Sequence, residues 1–401
     1  MPYRAVVSGV GLTEATSPRK QTLSSIELCQ LAVRRALEHS GDAPDRIDAI
    51  VTGNIDGFEG TVLGAKHLTR LLGIGSTAPV VVVNTGGTTG GNLMQVAARM
   101  VRSGTHRVVL CLGGPTFFGA TDLQSAINTN SPMIIEQPLG MGAYHMGAFA
   151  ACAYQDRFGL TPEDLAAVVV ADHAKAARNP YAHLRNTISA DEVLSARPLS
   201  APLTQAMVCP VSTSAVAMVV ADADTVRSER ASGSVGRATR PALIKAMGMS
   251  ADPYLGGGKG DFARMENLEN LARRVYARAD IRNPAEDFDT VELFAPYAHM
   301  QPMQLEALGF ASPGGGVELI RSGATDPEGR LPVNMSGGPK CTNAGVAGEL
   351  APYAYAALQV MGDAPAEIQV AGADRTLAHG TGGTFFQFEN LAVFESLTRS
   401  N

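Results

Sequence analysis

The stretch NTGGTTGGNL, residues 84–93, follows the apolar run APVVVV and leads into LMQVAARMV, where Leu93, Val96, Ala97, Met100 and Val101 share one helical face. A strand, a glycine-rich turn and a helix start form an address where enzymes mount a nucleophile, because the helix N-terminus presents N–H groups and lowers a thiol's pKa. No Cys, Ser, Asp or Glu stands there. Thr88 and Thr89 bring hydroxyls, which need an adjacent base to attack and before a helix act more often as caps. Groups able to move a proton stand elsewhere. Tyr297 and His299 follow the apolar strand VELFA, at the strand end where α/β sites gather, and His379 lies inside LAHGTGG. Each has a plainer alternative: a packed aromatic for Tyr297, a solvated or backbone-bonded imidazole for His299, a strand residue facing away for His379. Cys341, on the turn GGPKCTNAG, is either a thiol near a pocket or a small buried residue.

The elements that must position these groups read as α/β. Strands are expected at AVVSGVG (5–11), DAIVTGN (48–54), APVVVV (78–83) and HRVVLCLGG (106–114), with helices over 23–39, near 62–72 and after the glycine turn. A second series begins at ALIKAMGM (242–249). It continues with a helix over 262–279, DTVELFA (289–295), a helix over 299–309, LPVNMSGG (331–338), a helix near 344–360 and AEIQVAGA (366–373). The order repeats, and VVVNTGGTTGG and LPVNMSGGPKCTNAG share a strand, an Asn and a Gly-Gly turn. Residues 115–213 differ in character and read as helices and loops inserted above the body, with Thr161 as N-cap and Pro162 opening a helix.

Composition narrows the partner. The chain has 401 residues, 45% apolar and 17% charged, with a net charge of −6, which suits a globular body and gives nucleic acid no basic footprint. No run approaches 18 apolar residues, so no membrane span is expected, and MPYRAVVSGVG lacks the features of a secretion signal. Five scattered cysteines without a CxxC pair argue against disulfides and zinc and for a reducing cytoplasm. GGTTGG lacks the Lys-Ser/Thr ending of a phosphate loop, and GVGLTEA places Glu14 where a dinucleotide fingerprint needs a small residue, so no bound nucleotide cofactor is expected. PYLGGGKGDF (253–262) reads as a loop with Lys259 at its tip.

Taken together, VVVNTGGTTGG, FGLTPEDLAAVVVADHAKAARNPYAH, VELFAPYAHMQPMQLEALGF, VNMSGGPKCTNAGVAGEL and LAHGTGG resemble the thiolase superfamily, in its sterol-carrier-protein-type and lipid-transfer branch, over nearly the whole chain. The resemblance implies a five-layered α-β-α-β-α fold of two duplicated halves, 1–240 and 241–401, with a loop domain at about 115–213. It further implies a homodimer, a coenzyme A thioester as substrate, and a small zinc-ribbon/OB-fold partner protein. Lys175, Arg178 and Arg185 would then meet CoA phosphates or be solvated.

Aligned on that family, the nucleophilic cysteine falls on Gly87. The histidine of the Gly-His-Pro turn falls on Asn343 or Ala344, the His-Asp pair on Phe294 and Ala295, and the cysteine of the Cys-x-Gly turn on Ala378, with Gly380 retained. The implied remainder is an oxyanion pocket lined by Gly87 and Gly380 and widened by the missing side chains. Related steroid side-chain aldolases lack the nucleophile and use tyrosines, at positions corresponding approximately to Phe294 and Ala344, for a retro-aldol cleavage. Tyr297, His299 and His379 are then the candidate acid/base groups, with Thr88, Cys341 and Asn343 as lesser ones. The rival expectations are a catalytically silent acyl-CoA-binding or scaffold subunit, and an acyltransferase with a displaced nucleophile.

Overall fold

The computed structural model describes residues 4–53, 68–75, 77–115, 128, 131–231, 240–253, 260–383 and 385–397. Lys259 and most of the helix expected near 62–72 lie outside them; of that helix Leu68–Leu71 is described.

Eleven strands are described: β1 (Ala5–Leu12), β2 (Ala49–Gly53), β3 (Val80–Val82), β4 (Val108–Gly113), β5 (Pro198–Ser200), β6 (Leu203–Thr204), β7 (Val216–Asp222), β8 (Ala242–Ala251), β9 (Thr290–Leu293), β10 (Arg375–Gly382) and β11 (Phe388–Ser396). Nine of them form one sheet in the order β3-β2-β4-β7-β1-β8-β11-β10-β9. The order is mirrored about the β1–β8 contact. β1 pairs antiparallel with β7, β7 antiparallel with β4, β4 parallel with β2 and β2 parallel with β3. β8, β11, β10 and β9 repeat that sequence of senses, and a parallel bridge from Val291 to Val333 stands where β3 stands in the first half.

Seven helices carry the layers: α1 (Ser25–Ser40), α2 (Thr89–Arg102), α3 (Ala143–Phe158), α4 (Pro162–Ala176), α5 (Glu266–Ala279), α6 (Met300–Ala307) and α7 (Val346–Met361). One core packs α1 on the outer face of the first half's strands. A second encloses α2 and α7 between the inner faces of both halves, from Val7 and Cys111 to Ala378 and Phe394. A third packs α5 and α6, with α3 and α4 of the inserted region, on the outer face of the second half. That sequence of helix, strand, helix, strand and helix gives the five layers expected.

Local chemistry explains the starts. Ser24 and Glu27 form a reciprocal capping box on α1, and Thr161 and Asp164 do the same on α4 with Pro162 in its first turn. Two expectations need correcting. LPVNMSGG makes only the single bridge at Val333. AEIQVAGA is not a strand, because the buried amide of Gln359 on α7 donates to the Ile368 carbonyl and accepts from the Val370 N–H, taking up ladder groups; the strand comes later, as β10.

Candidate active site

The turn between β3 and α2 is built from its glycines and threonines. Gly86 adopts a left-handed φ of 60°. Thr89 accepts a hydrogen bond from the Thr85 N–H (2.9 Å) and donates to the Gly86 carbonyl (2.7 Å). The Thr88 hydroxyl donates to the Thr85 carbonyl (3.0 Å), a local tie within the turn.

Gly87 is half-buried, and the residue packed against it is Gly382, at the end of β10. A Cβ on Gly382 would stand 2.4 Å from the Gly87 carbonyl carbon, and one on Gly87 would stand 2.9 Å from the Gly382 Cα. Gly380, which the motif alignment pairs with Gly87, lies two residues back on the same strand face and meets a different group: a Cβ there would stand 2.9 Å from the Tyr353 hydroxyl. The widened pocket expected from the missing side chains is thus closed by backbone at Gly87 and by Tyr353 at Gly380. Tyr353 of α7 also fills the space before Gly91, one turn into α2, where a Cβ would stand 2.5 Å from its hydroxyl. That hydroxyl is buried with no hydrogen-bond partner among the described residues. Burial, with the charges of Glu389 and Glu349 behind it, holds the phenol well above its usual pKa, so it keeps its proton.

Glu349 completes this face. Its carboxylate accepts from the Gly90 N–H (3.1 Å) at the α2 N-terminus, while burial pushes its pKa up to about 8 against the pull of the Gly90 and Thr89 N–H groups. Sequence reading missed Gly382, Tyr353 and Glu349. The signal for Gly382 was the alternation of β10, which puts Ala378, Gly380 and Gly382 on one face; nothing local marked the other two.

The three acid/base candidates are elsewhere. Leu377 and Leu391 belong to the outer core and Ala378 and Ala392 to the inner one, so His379 faces the outer layer, away from Gly380 and Gly382. There its Nε2 pairs with Glu389 at 2.8 Å, both groups buried. His299 precedes α6, fully buried, with neither ring nitrogen hydrogen-bonded among the described residues; burial and then the charge of Lys340 bring its pKa down to about 3. Tyr297 stacks on His299 with ring centroids 5.8 Å apart and donates to the Ala143 carbonyl (2.9 Å). Burial first, then Cys209 and Tyr144, raise its pKa well above 10. His299 and Glu389 line one small cavity, so the three form a group, on the other face of β10 from Gly87.

Cys341 is enclosed with Ala176 and Ala182, its thiol pKa driven up by burial. Asn343 donates its amide to the Cys209 Sγ (3.0 Å), and the Cys209 thiol, pushed up to about 11 by burial, is protonated at neutral pH. Lys175 does not reach solvent: it is buried beside Asp172 (3.5 Å) and donates to the Val333 carbonyl (2.7 Å). Arg178 lies at the surface, 3.8 Å from Glu328, and Arg185 is exposed. Among the described residues no group of His, Cys, Asp and Glu is arranged to hold a metal, and no helix is long and apolar enough to cross a membrane.

Residues 6–194 match the thiolase N-terminal domain and residues 257–395 the thiolase C-terminal domain-like family. The chain is 27% identical over 383 residues to an acetyl-CoA acetyltransferase of Methanothermobacter thermautotrophicus, covering 94% of this chain and 96% of that one. It is 25% identical over 397 residues to sterol carrier protein 2 of Gallus gallus, with coverage of 95% and 70%. To the 17-hydroxy-3-oxo-4-pregnene-20-carboxyl-CoA lyase of Mycobacterium tuberculosis it is 27% identical over 349 residues, with coverage of 84% and 86%. A solved structure of the Ltp2-ChsH2(DUF35) aldolase superposes with a TM-score of 0.82 at 24% identity, covering all of both chains.

Proposed function

From the premise that this chain belongs to the thiolase superfamily, in its sterol-carrier-protein-type branch, we propose that it acts on acyl-CoA thioesters. It makes or breaks a carbon–carbon bond by aldol-type chemistry, with no acyl-cysteine intermediate. The observation that carries the reading is the Gly87–Gly382 contact: a strand-to-helix turn at the head of α2 with backbone where a thiol would stand. Cys341 and Cys209, both held protonated by burial, supply no thiolate in its place. The CoA lyase among the relatives supports a reaction of this class.

In the cleavage direction the bond between the α and β carbons of a β-hydroxyacyl-CoA breaks. Its electron pair passes to the α carbon as the thioester enolate, the β carbon becomes a carbonyl, and the β-hydroxyl proton leaves to a base. The positive end of the α2 dipole would face the developing oxyanion once the close packing of Gly382 and Tyr353 on this turn gives way to the thioester. Tyr353, one turn beneath Gly87 with its proton retained, is the group we assign to reprotonate the enolate. No cofactor enters this scheme; coenzyme A arrives with the substrate. A homodimer in the cytoplasm, assisted by a small zinc-ribbon/OB-fold partner, is the working form.

Incubation with β-hydroxyacyl-CoA and β-ketoacyl-CoA panels, alone and with a co-purified partner, tests the proposal by mass spectrometry. Release of an aldehyde or ketone with a shortened CoA ester is expected. Binding without turnover in every combination would instead mark a silent subunit, and an acyl adduct on intact protein would restore the acyltransferase.

A further inference from the structure

Behind β10, on the face away from Gly87, the cavity that holds His299 and Glu389 has walls of a different kind. Phe262, Phe385, Phe386, Met265, Met300 and Met303 form most of them, with Asp252, Arg264 and Asn267 also on the lining. Phe149, 47% exposed on α3, meets Phe262 edge-on at 4.8 Å and Phe385 at 6.1 Å, so an aromatic path runs from the surface to the cavity. In this packing the cavity admits about one water-sized molecule. Three of its walls are methionines, unbranched side chains that repack readily.

Two features set it apart from ordinary core. His299 is fully buried, lines the cavity and leaves both ring nitrogens without a partner among the described residues, as the Nδ1 of nearby His379 also does. Unsatisfied buried polar atoms are costly and call for an occupant that satisfies them. Phe386 holds a left-handed φ of 57°, a conformation a bulky residue adopts against its preference and one that gathers at binding sites. Apolar walls with a few converging polar groups are the usual build of a small-molecule site.

We infer that this cavity is a binding site for a neutral, hydroxyl-bearing ring or chain terminus. The hydroxyl donates to Glu389, braced from behind by His379, or to the bare nitrogen of His299, and accepts from the other His299 nitrogen, while the hydrocarbon lies among the phenylalanines. His299 is neutral, and Arg264 on the lining is already paired with Glu269 (2.7 Å), so the cavity offers one imidazole N–H donor and acceptors but no unpaired cation among these groups. A carboxylate or phosphate would face Glu389 in a low-dielectric wall and be rejected. The inference stands apart from the aldol reading, because binding is read without turnover.

The probe is 4-fluorophenol, titrated by fluorine NMR against the full-length protein beside 4-fluoroanisole, which lacks the donor, and 4-fluorobenzoate, which is anionic. The phenol is expected to bind at least tenfold more tightly than either, and crystals soaked in 4-bromophenol should place the bromine among Phe262, Phe385 and Phe386. His299→Phe should weaken binding at least tenfold; Met303→Phe, which fills the cavity from its apolar wall, should do the same if the histidine variant fails to fold. Equal affinity for all three probes, or bromine elsewhere, overturns the inference, as does binding that survives both substitutions. Competition by 4-hydroxyphenylacetyl-CoA assigns the site to the acyl end of a thioester; binding of the phenol without such competition assigns it to a free alcohol.

Discussion

Two side chains on the inner face of the second half can be separated by what their removal does. The Tyr353 hydroxyl is buried, unpartnered and pressed between two glycines, so deleting it removes a desolvated group that returns no hydrogen bond. Tyr353→Phe should leave thermal stability unchanged or raise it by about 1 kcal/mol while lowering turnover at least tenfold; loss of stability with full turnover would make the tyrosine a packing group only. Glu349 titrates with a definite sign. Its pKa is about 8 in the folded chain against 4.5 for an unperturbed glutamate, so the stability gained by keeping it protonated is full below pH 4.5 and is lost as the pH climbs through 8. Glu349→Gln stays neutral throughout. Its melting temperature relative to the parent should therefore rise by about 3 °C or more between pH 5 and pH 9, and a gap that does not change with pH would count against this. Neither residue was legible in the sequence, where both sit in a helical run without a motif. The empty nucleophile address at Gly87 was legible, because strand, turn and helix start are local features. The packing of Gly382 on that turn was not, because it depends on how β10 is placed against the head of α2, which no local feature of the sequence records.

At the level of elements, α4 of the inserted region is keyed to the second half by charge. The Asp172 carboxylate lies 2.8 Å from the Lys340 Nζ and 3.5 Å from the Lys175 Nζ, all of them buried, and Lys340 also donates to the Gln301 side chain (2.9 Å). Glu292, whose carboxylate accepts from the Ser336 hydroxyl (2.6 Å) and N–H (3.0 Å), brings a fourth ionisable group, its pKa raised to about 7 by burial. One carboxylate facing two buried ammonium groups leaves little slack. Asp172→Asn removes the charge and is expected to cost about 3–5 kcal/mol in urea unfolding, since it strands two cations; a loss under about 1 kcal/mol would mean the lysines find other counter-charges. Helix periodicity made α2 readable and the Thr161–Pro162 start made α4 so; of the face expected on α2, Leu93, Ala97 and Val101 are buried and Val96 and Met100 partly so. The lock was not readable, because in sequence Lys175 looks like any helix-surface lysine, and the Val333 carbonyl that receives its ammonium lies far along the chain.

For the whole molecule, the mirrored strand order follows from a repeat that the chain shows in its own letters, with Asn334 at a φ of 50° placing its side chain on the Leu293 N–H (2.6 Å) where the second Gly-Gly turn begins. What a single chain does not finish is the sheet's first edge. β3 pairs with β2 on one side and with no strand on the other among the described residues, and Val82 is 39% exposed on it. An open, valine-rich edge is a template for another strand, and natural sheets guard such edges with charge, proline or a partner. β3 carries no charge and has Pro79 only at its start, so in the homodimer proposed above a second copy of the chain would cover this edge, the two edges pairing about a two-fold axis. The same strand runs directly into the Gly87 turn, so the pairing would hold that turn in place from outside. Val82→Lys sets a charge on the edge of each protomer, and like charges brought together across the axis should weaken the dimer at least tenfold in sedimentation velocity while the melting temperature of the separated chain stays near that of the parent. A chain that sediments as a monomer at high micromolar concentration without the substitution, or a dimer indifferent to it, would place the interface elsewhere.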